Sequence, residues 1–310
     1  MDARGVEIWR RLACALIGAA VLGWCSTAGA ASIGGRLHVG KSGPRPVLGI
    51  GGPLPLPLLQ LARTEGVQVF RSDALWSDAQ PRQGQPYDWS AADATAQLLA
   101  AAGIRWHVIV GGAPSWAGPL GKGAAGVFPD QKHIPQFAAF AVAVAKRYHP
   151  AYLEVGNEPE GAYMVSNYPT PAQYEAIFHA VRVAVKRAVP KMKVLMAGMA
   201  QQNYADAFYK LAGSQISDGV NIHTYTCPTQ MLNWGVDVSA ETGYPIVDSE
   251  YSWTADGSTP ICRGYRGTRF YRAAQTWVLR IPHLELAEPF VWTGDSSELA
   301  SQIRALAPPR

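Results

Sequence analysis

The sequence is short of cysteine, of clustered positive charge and of the spacings that hold metals or nucleotides, and each shortage removes a class of function. It has four cysteines among 310 residues. Cys227 and Cys262 have no paired Cys/His spacing nearby of the kind a zinc site uses. Lys and Arg number 27 against 23 Asp and Glu, a net charge of +4, and they are scattered rather than gathered into a patch. Nucleic acid therefore has no basic footprint to bind. The stretch "GIGGPLPLP" (49–57) carries glycines after an apolar run, but Pro53, Pro55 and Pro57 follow at once and spoil the helix N-terminus that would hold a phosphate. No internal repeat or long linker appears, and with 48% hydrophobic residues the chain can bury a large core.

What the sequence does have begins with a targeting pattern. Arg10 and Arg11 precede the apolar run "LACALIGAAVLGW" (12–24), and "AGA" (28–30) supplies small residues for cleavage. Residues 1–30 read as a signal peptide and 31–45 as an N-terminal linker. The chain is then expected to be periplasmic or secreted, with no stable membrane insertion after cleavage. An uncleaved anchor is the alternative, although the run is short for a full span. Cys14 and Cys25 leave with the signal. Cys227 and Cys262 remain, an even count in an oxidising compartment, and a disulfide between them is expected, with two free thiols as the alternative.

From residue 47 onward, apolar strand-like runs alternate with amphipathic stretches. Strands are expected at 46–52, 67–73, 104–112, 151–158, 193–198, 219–225, 245–250 and 289–295. Helices are expected at 91–102, 135–148, 171–189, 204–211 and 268–279, with weaker signals near 54–65 and 229–241. Parallel strands need crossover connections, and eight of them close a sheet. The expected fold is an α/β (β/α)₈ TIM barrel over 46–310, one domain, with an open doubly wound sheet as the rival.

In such a barrel chemistry gathers at the C-terminal ends of the strands. The polar residues follow that rule: Arg71 and Asp73 end the second strand, Asn157 and Glu158 the fourth, His223 and Tyr225 the sixth, Glu250 the seventh, Trp292 and Asp295 the eighth. Glycoside hydrolysis needs one protonated carboxyl group and one ionised, and Glu158 and Glu250 can fill both roles. The deeper acids compete: alternation places Glu154 beneath Glu158 and Asp248 one layer beneath Glu250. These inner acids are expected to be paired, with Arg71 as a candidate partner.

The residues also carry a resemblance. "EVGNEPEG" (154–161), followed about ninety residues later by "PIVDSEYSW" (245–253), resembles the acid/base and nucleophile strands of the clan A retaining glycoside hydrolases. "FRSDALWSDAQPRQGQPYDWSAAD" (70–93) with "APSWA" (113–117) is similar to the β-xylosidase and α-iduronidase family, glycoside hydrolase family 39, and to its bacterial members that cut exopolysaccharides. The resemblance implies Glu158 as general acid/base, Asn157 on the sugar 2-hydroxyl, Glu250 as nucleophile and Arg71 keeping it ionised. It also implies that His223 and Tyr225 occupy the polar positions of the sixth strand and Trp292 the aromatic floor. Gly156 departs from the pattern, standing where an aromatic usually precedes the Asn, and so does Gln80, where an acid is usual.

The reading is a retaining glycosidase, endo-acting on a bacterial polysaccharide along a groove lined by Trp76, Trp116, Trp253 and Trp292. It is expected to need no metal or organic cofactor, to bind no nucleic acid and to be a monomer. A silent barrel that only binds polysaccharide during export and a transglycosylase using the same residues are the alternatives.

Overall fold

The computed structural model describes residues 45–118, 126–161, 168–254, 260–291 and 296–306. The signal and linker assignments lie outside them or at their edge, and so do Trp292, Asp295 and residues 119–125. Among the described residues, eight short apolar strands alternate with helices. They are β1 Val47–Gly51, β2 Val69–Leu75, β3 Arg105–Gly111, β4 Tyr152–Val155, β5 Val194–Met196, β6 Val220–His223, β7 Ile246–Tyr251 and β8 Leu284–Pro289. The helices that follow them are α1 Leu56–Thr64, α2 Ser90–Ala102, α3 Ile134–Tyr148, α4 Pro171–Ala188, α5 Gln202–Ala212, α6 Pro228–Thr242, α7 Gly267–Val278 and α8 Ser296–Arg304.

Strand order is β5-β4-β3-β2-β1-β8-β7-β6, with every pair parallel. A parallel bridge from Met199 to Ile222, with the His223 N–H donating to the Met199 carbonyl at 3.0 Å, closes the gap between β5 and β6. The fold is a (β/α)₈ barrel.

Prolines do not prevent α1. Pro55 is its N-cap and Pro57 lies in its first turn, where the missing N–H would have had no helical partner. Helix α4 starts on a capping box between Thr170 and Gln173, and α2 stops at Gly103, whose φ of 68° suits glycine.

The eighth strand corrects the sequence reading. It is Leu284–Pro289 rather than 289–295. The acids at 285 and 288 disguised it. Glu285 reaches the Tyr152 hydroxyl, which donates to it at 2.8 Å, while Glu288 points into the barrel and lies 2.6 Å from His107 Nδ1. Residues 292–295 of the expected strand lie outside the described residues, and α8, which the reading did not anticipate, begins at Ser296.

The barrel interior is layered. Val69, Tyr152, Leu195, Val247 and Leu286 form an apolar plug at the bottom. One residue pair further along each strand, the same inward parity brings Arg71, Glu154, Ser249 and Glu288 into the middle. The outer core, between strands and helices, is a separate and larger apolar cluster.

Candidate active site

A β-bulge sets the position of Glu250. On β6, Ile222 and His223 are consecutive, but their partners on β7 are Asp248 and Glu250, so Ser249 is an extra residue. A bulge of this kind lets two successive side chains share one face. His223 accordingly meets both, with Nε2 at 3.1 Å from Ser249 Oγ and 3.8 Å from Glu250 Oε1. Asp248 takes the opposite face, where the Thr224 hydroxyl donates to it at 2.6 Å. It is therefore not the acid beneath Glu250, as alternation alone implied, and it is not paired with Arg71. Burial pushes its carboxyl up to about 8.

Glu250 is held on three sides. Arg71 Nη1 donates to its Oε1, the Tyr225 hydroxyl donates to its Oε2 at 2.6 Å, and His223 lies behind it. Burial alone would raise its pKa, but the charges of His223 and Arg71 and the Tyr225 and Arg71 hydrogen bonds outweigh it and hold the carboxyl below the ordinary range. An ionised carboxylate in a nearly closed pocket is what a nucleophile requires.

Arg71 gathers the rest. Its Nε donates to Glu154 Oε2 at 2.6 Å, and its Nη2 donates to Glu154 Oε1 at 2.9 Å and to Asn157 Oδ1 at 2.7 Å. Glu154 also accepts the Gly198 N–H at 2.8 Å, and His107 Nε2 lies 3.2 Å from it. Despite burial, the Arg71 charge keeps Glu154 far below the usual carboxylate range. His107 bridges Glu154 and Glu288. Burial opposes its protonation, yet the Glu288 charge and the hydrogen bonds to both acids lift it to about 9.

Glu158 presents differently. Its φ is 39°, a left-handed backbone that few non-glycine residues adopt and that concentrates at functional sites. The strain is held by its own N–H donating to the Gly198 carbonyl at 3.1 Å and by its carbonyl accepting from the Gly161 N–H at 3.0 Å. Its Oε1 lies 2.7 Å from His223 Nδ1. Burial would deprotonate that imidazole, but the charge of Glu250 and the hydrogen bond and charge of Glu158 raise its pKa. One carboxylate oxygen of Glu158, one of Glu250 and one His223 nitrogen all lie within 4.8 Å of one another.

Two glycines make room for this geometry. A Cβ on Gly198 would fall 2.0 Å from His223 Nε2, so glycine there is what allows the ring between the two acids. At Gly156, with φ +75°, a Cβ would fall 2.2 Å from Phe128 Cε1. The missing side chain at this departure from the family pattern leaves no wider groove, because Phe128 fills the space.

The remaining assignments divide. Asp73 is open to solvent at the mouth. Surrounding protein raises its carboxyl against the pull of Arg71, and Glu154 and Glu250 add to the rise. Trp76 is no groove residue. It is fully buried behind β2, stacked with Phe140, and its Nε1 donates to Gln80 Oε1 at 3.0 Å. It follows the last residue of β2 and starts a helical turn, Trp76–Ala79, that turns it toward α3. Trp116 packs edge-on to it at 4.9 Å and donates to the Gln80 carbonyl at 3.0 Å, and Trp253 is also buried. The row of stacking tryptophans is therefore not formed by these three.

Cys227 and Cys262 are disulfide-bonded, with Cα atoms 5.4 Å apart. Glu160 is a further acid of the loop after β4. It is buried, and its Oε1 accepts from the Gln201 N–H at 3.0 Å and from that of Ala200. Burial and then the Glu158 charge push it up to about 7. His107, Ser249 and Glu288 were missed. The one signal available was polar residues at inward parity in otherwise apolar strands.

Two carboxylates and an imidazole within 4.8 Å could ligate a divalent cation. The Arg71 guanidinium already occupies Glu250 Oε1, however, and a second cation there would face its charge at close range.

No protein-family model matches the chain, and no curated protein matches it in sequence. Among solved structures it is similar to a family 39 glycoside hydrolase from the gut symbiont Bacteroides cellulosilyticus WH2, with TM-score 0.63 and 17% identity over 85% of this chain and 61% of that one. It is also similar to a GH5_18 protein from Bifidobacterium longum subsp. infantis, with TM-score 0.60 and 15% identity over 85% of this chain and 78% of that one. The catalytic domain of a GH30 xylanase C from Talaromyces cellulolyticus gives TM-score 0.57 and 13% identity over 85% and 75% of the two chains. The chain spans 51 to 62% of the first four such structures. At these identities the likeness establishes the fold.

Proposed function

We propose that the protein is a retaining glycoside hydrolase that works by double displacement. The observation that carries the reading is the pair itself: Glu250, ionised and held by Arg71 and Tyr225, has an oxygen within 4.8 Å of one from Glu158. Retaining enzymes set their carboxyl groups about 5–5.5 Å apart, whereas inverting ones leave about 6.5–9.5 Å for a water. In the first step a Glu250 oxygen bonds the anomeric carbon while the glycosidic bond breaks and the Glu158 proton goes to the leaving oxygen. In the second, Glu158 takes a proton from water, whose oxygen displaces Glu250. Arg71 and Tyr225 keep the nucleophile ionised and aimed, and His223 sits between the acids to receive or return charge as each changes state.

The proposed substrate is a bacterial exopolysaccharide cleaved internally outside the cytoplasm. This rests on the resemblance of residues 70–93 and 113–117 to the family's exopolysaccharide-cleaving members, since Trp76 and Trp253 of the tryptophan row that also pointed there are buried. The test separates the two acids. On 2,4-dinitrophenyl glycosides, which need no protonation to leave, Glu158→Ala should retain turnover and be rescued by azide, giving a glycosyl azide of unchanged anomeric configuration. Glu250→Ala should be inert without an external nucleophile. Equal behaviour of the two variants would remove the role assignment.

A further inference from the structure

Beside the two acids, on the β5–β6 side of the mouth, lies a cavity of about 400 Å³, within the range of roughly 300–1,000 Å³ typical of small-molecule sites. His223 and Tyr225 form the wall it shares with the acids. The far wall is one face of α6, where Gln230, Asn233, Trp234 and Asp237 recur at helical spacing, and Gln202 at the start of α5 completes it. We propose that this cavity is the subsite for the sugar on the leaving-group side of the scissile bond, and that it takes uncharged or amine-bearing sugars and rejects uronates. The inference rests on the glycosidase reading and adds a binding site to it.

Three observations carry it. First, the direction: Arg71 approaches Glu250 from β2, whereas the proton donor Glu158 lies 2.7 Å from Nδ1 of His223, which lines the cavity. The leaving oxygen must lie at the donor, so the sugar attached to it extends toward α6. Second, the lining is built for hydroxyl groups. Gln230 Oε1 accepts from the Thr226 hydroxyl at 2.5 Å and from the Cys227 N–H at 3.3 Å, which fixes the amide and leaves its NH₂ to donate. The Cys227–Cys262 disulfide anchors the residue at which α6 begins, so the wall is braced where it meets the site. Third, the charge: among the described lining residues Asp237 is the one acid, and His223, the one basic residue, already serves Glu158. A sugar carboxylate would enter beside Asp237, Glu158 and Glu160 with no free cation among the described lining residues, while a hydroxyl or amine would find a partner.

The experiment compares leaving groups on one glycone. A panel of 4-nitrophenyl β-glycosides (xyloside, glucoside, galactoside, mannoside) identifies the glycone cleaved, and the matching β-linked disaccharides supply a sugar leaving group, with and without a carboxylate at C6. The Asn233→Ala/Asp237→Ala double variant changes only exposed side chains, and a thermal melt checks its folding. Its kcat/KM should fall roughly tenfold more on the neutral disaccharide than on the nitrophenyl glycoside. In the native protein the neutral disaccharide should be cleaved faster than the uronate one, and Asp237→Lys should shrink that ratio. Equal losses on both leaving groups, or a uronate cleaved as fast as the neutral sugar, would overturn the subsite and leave the glycosidase reading standing. A protein inert on the whole panel would overturn both.

Discussion

Replacing Arg71 with Met tests the buried charge network and the nucleophile's ionisation together. The side chain is 2% exposed and donates to three acceptors, Glu154, Asn157 and Glu250. Methionine keeps most of the volume but strands two buried carboxylates. Removing one partner of a buried pair costs about 3–5 kcal/mol. At roughly 2–4 °C per kcal/mol for a domain of this size, the melting temperature should drop by roughly 6–20 °C at pH 7. The sign of the pH dependence follows from the depressed folded-state pKa of Glu154 and Glu250. Such groups add stability above the unfolded Glu value of about 4.3 and lose it as pH falls toward their folded values. The native protein should therefore lose its advantage over the variant on acidification, so that the gap in urea unfolding free energy narrows between pH 7 and pH 3. A gap below 1 kcal/mol at pH 7, or one that stays constant over that range, would refute the reasoning.

Gly198→Ala should abolish the proposed hydrolysis without unfolding the protein: the added methyl displaces His223 from between the acids, and a shift of 1 Å at a catalytic group can cost about a hundredfold in rate, read as kcat on an activated glycoside. Asp248→Asn should flatten the pH profile of stability. A buried acid raised to about 8 binds a proton that the unfolded chain has lost above about 3.9, so native stability falls by up to about 1.4 kcal/mol per pH unit from there to about 8 and then levels, and urea unfolding at pH 5, 6 and 7 should show that slope in the native protein and not in the variant. Reducing the Cys227–Cys262 bridge, which closes a loop of 35 residues, should cost about 3–4 kcal/mol, seen as a lower melting temperature in reductant and as two thiols labelled only after reduction.

The alternation of apolar runs and amphipathic stretches was enough to read the barrel, because parallel strands buried on both faces leave a strong hydrophobic signal. It failed at β8, where Glu285 and Glu288 interrupt the run. Glu288 is buried only because His107 on β3, three strands around the barrel and 181 residues away in sequence, meets it. The two acids at the ends of β4 and β7 were legible for the same reason as the barrel: strand ends are where the fold puts chemistry. Their neighbours were less so. Nothing in "PIVDSE" announces the bulge that turns Ser249 and Glu250 to one face and Asp248 to the other, since it arises from pairing with β6. The tryptophans misled because Trp76 and Trp116 stand near strand ends in sequence, yet turn outward into the helix layer.

The most direct test of the account is to trap the covalent intermediate. Incubated with 2,4-dinitrophenyl 2-deoxy-2-fluoro-β-glycosides of the glycone it cleaves, the protein should gain the mass of one fluoroglycosyl group, and peptide mapping should place it on Glu250. The Glu250→Gln variant should gain none. A label on any other residue, or full turnover of a normal substrate with inversion at the anomeric carbon and no trapped adduct, would contradict Glu250 as the nucleophile of a double displacement.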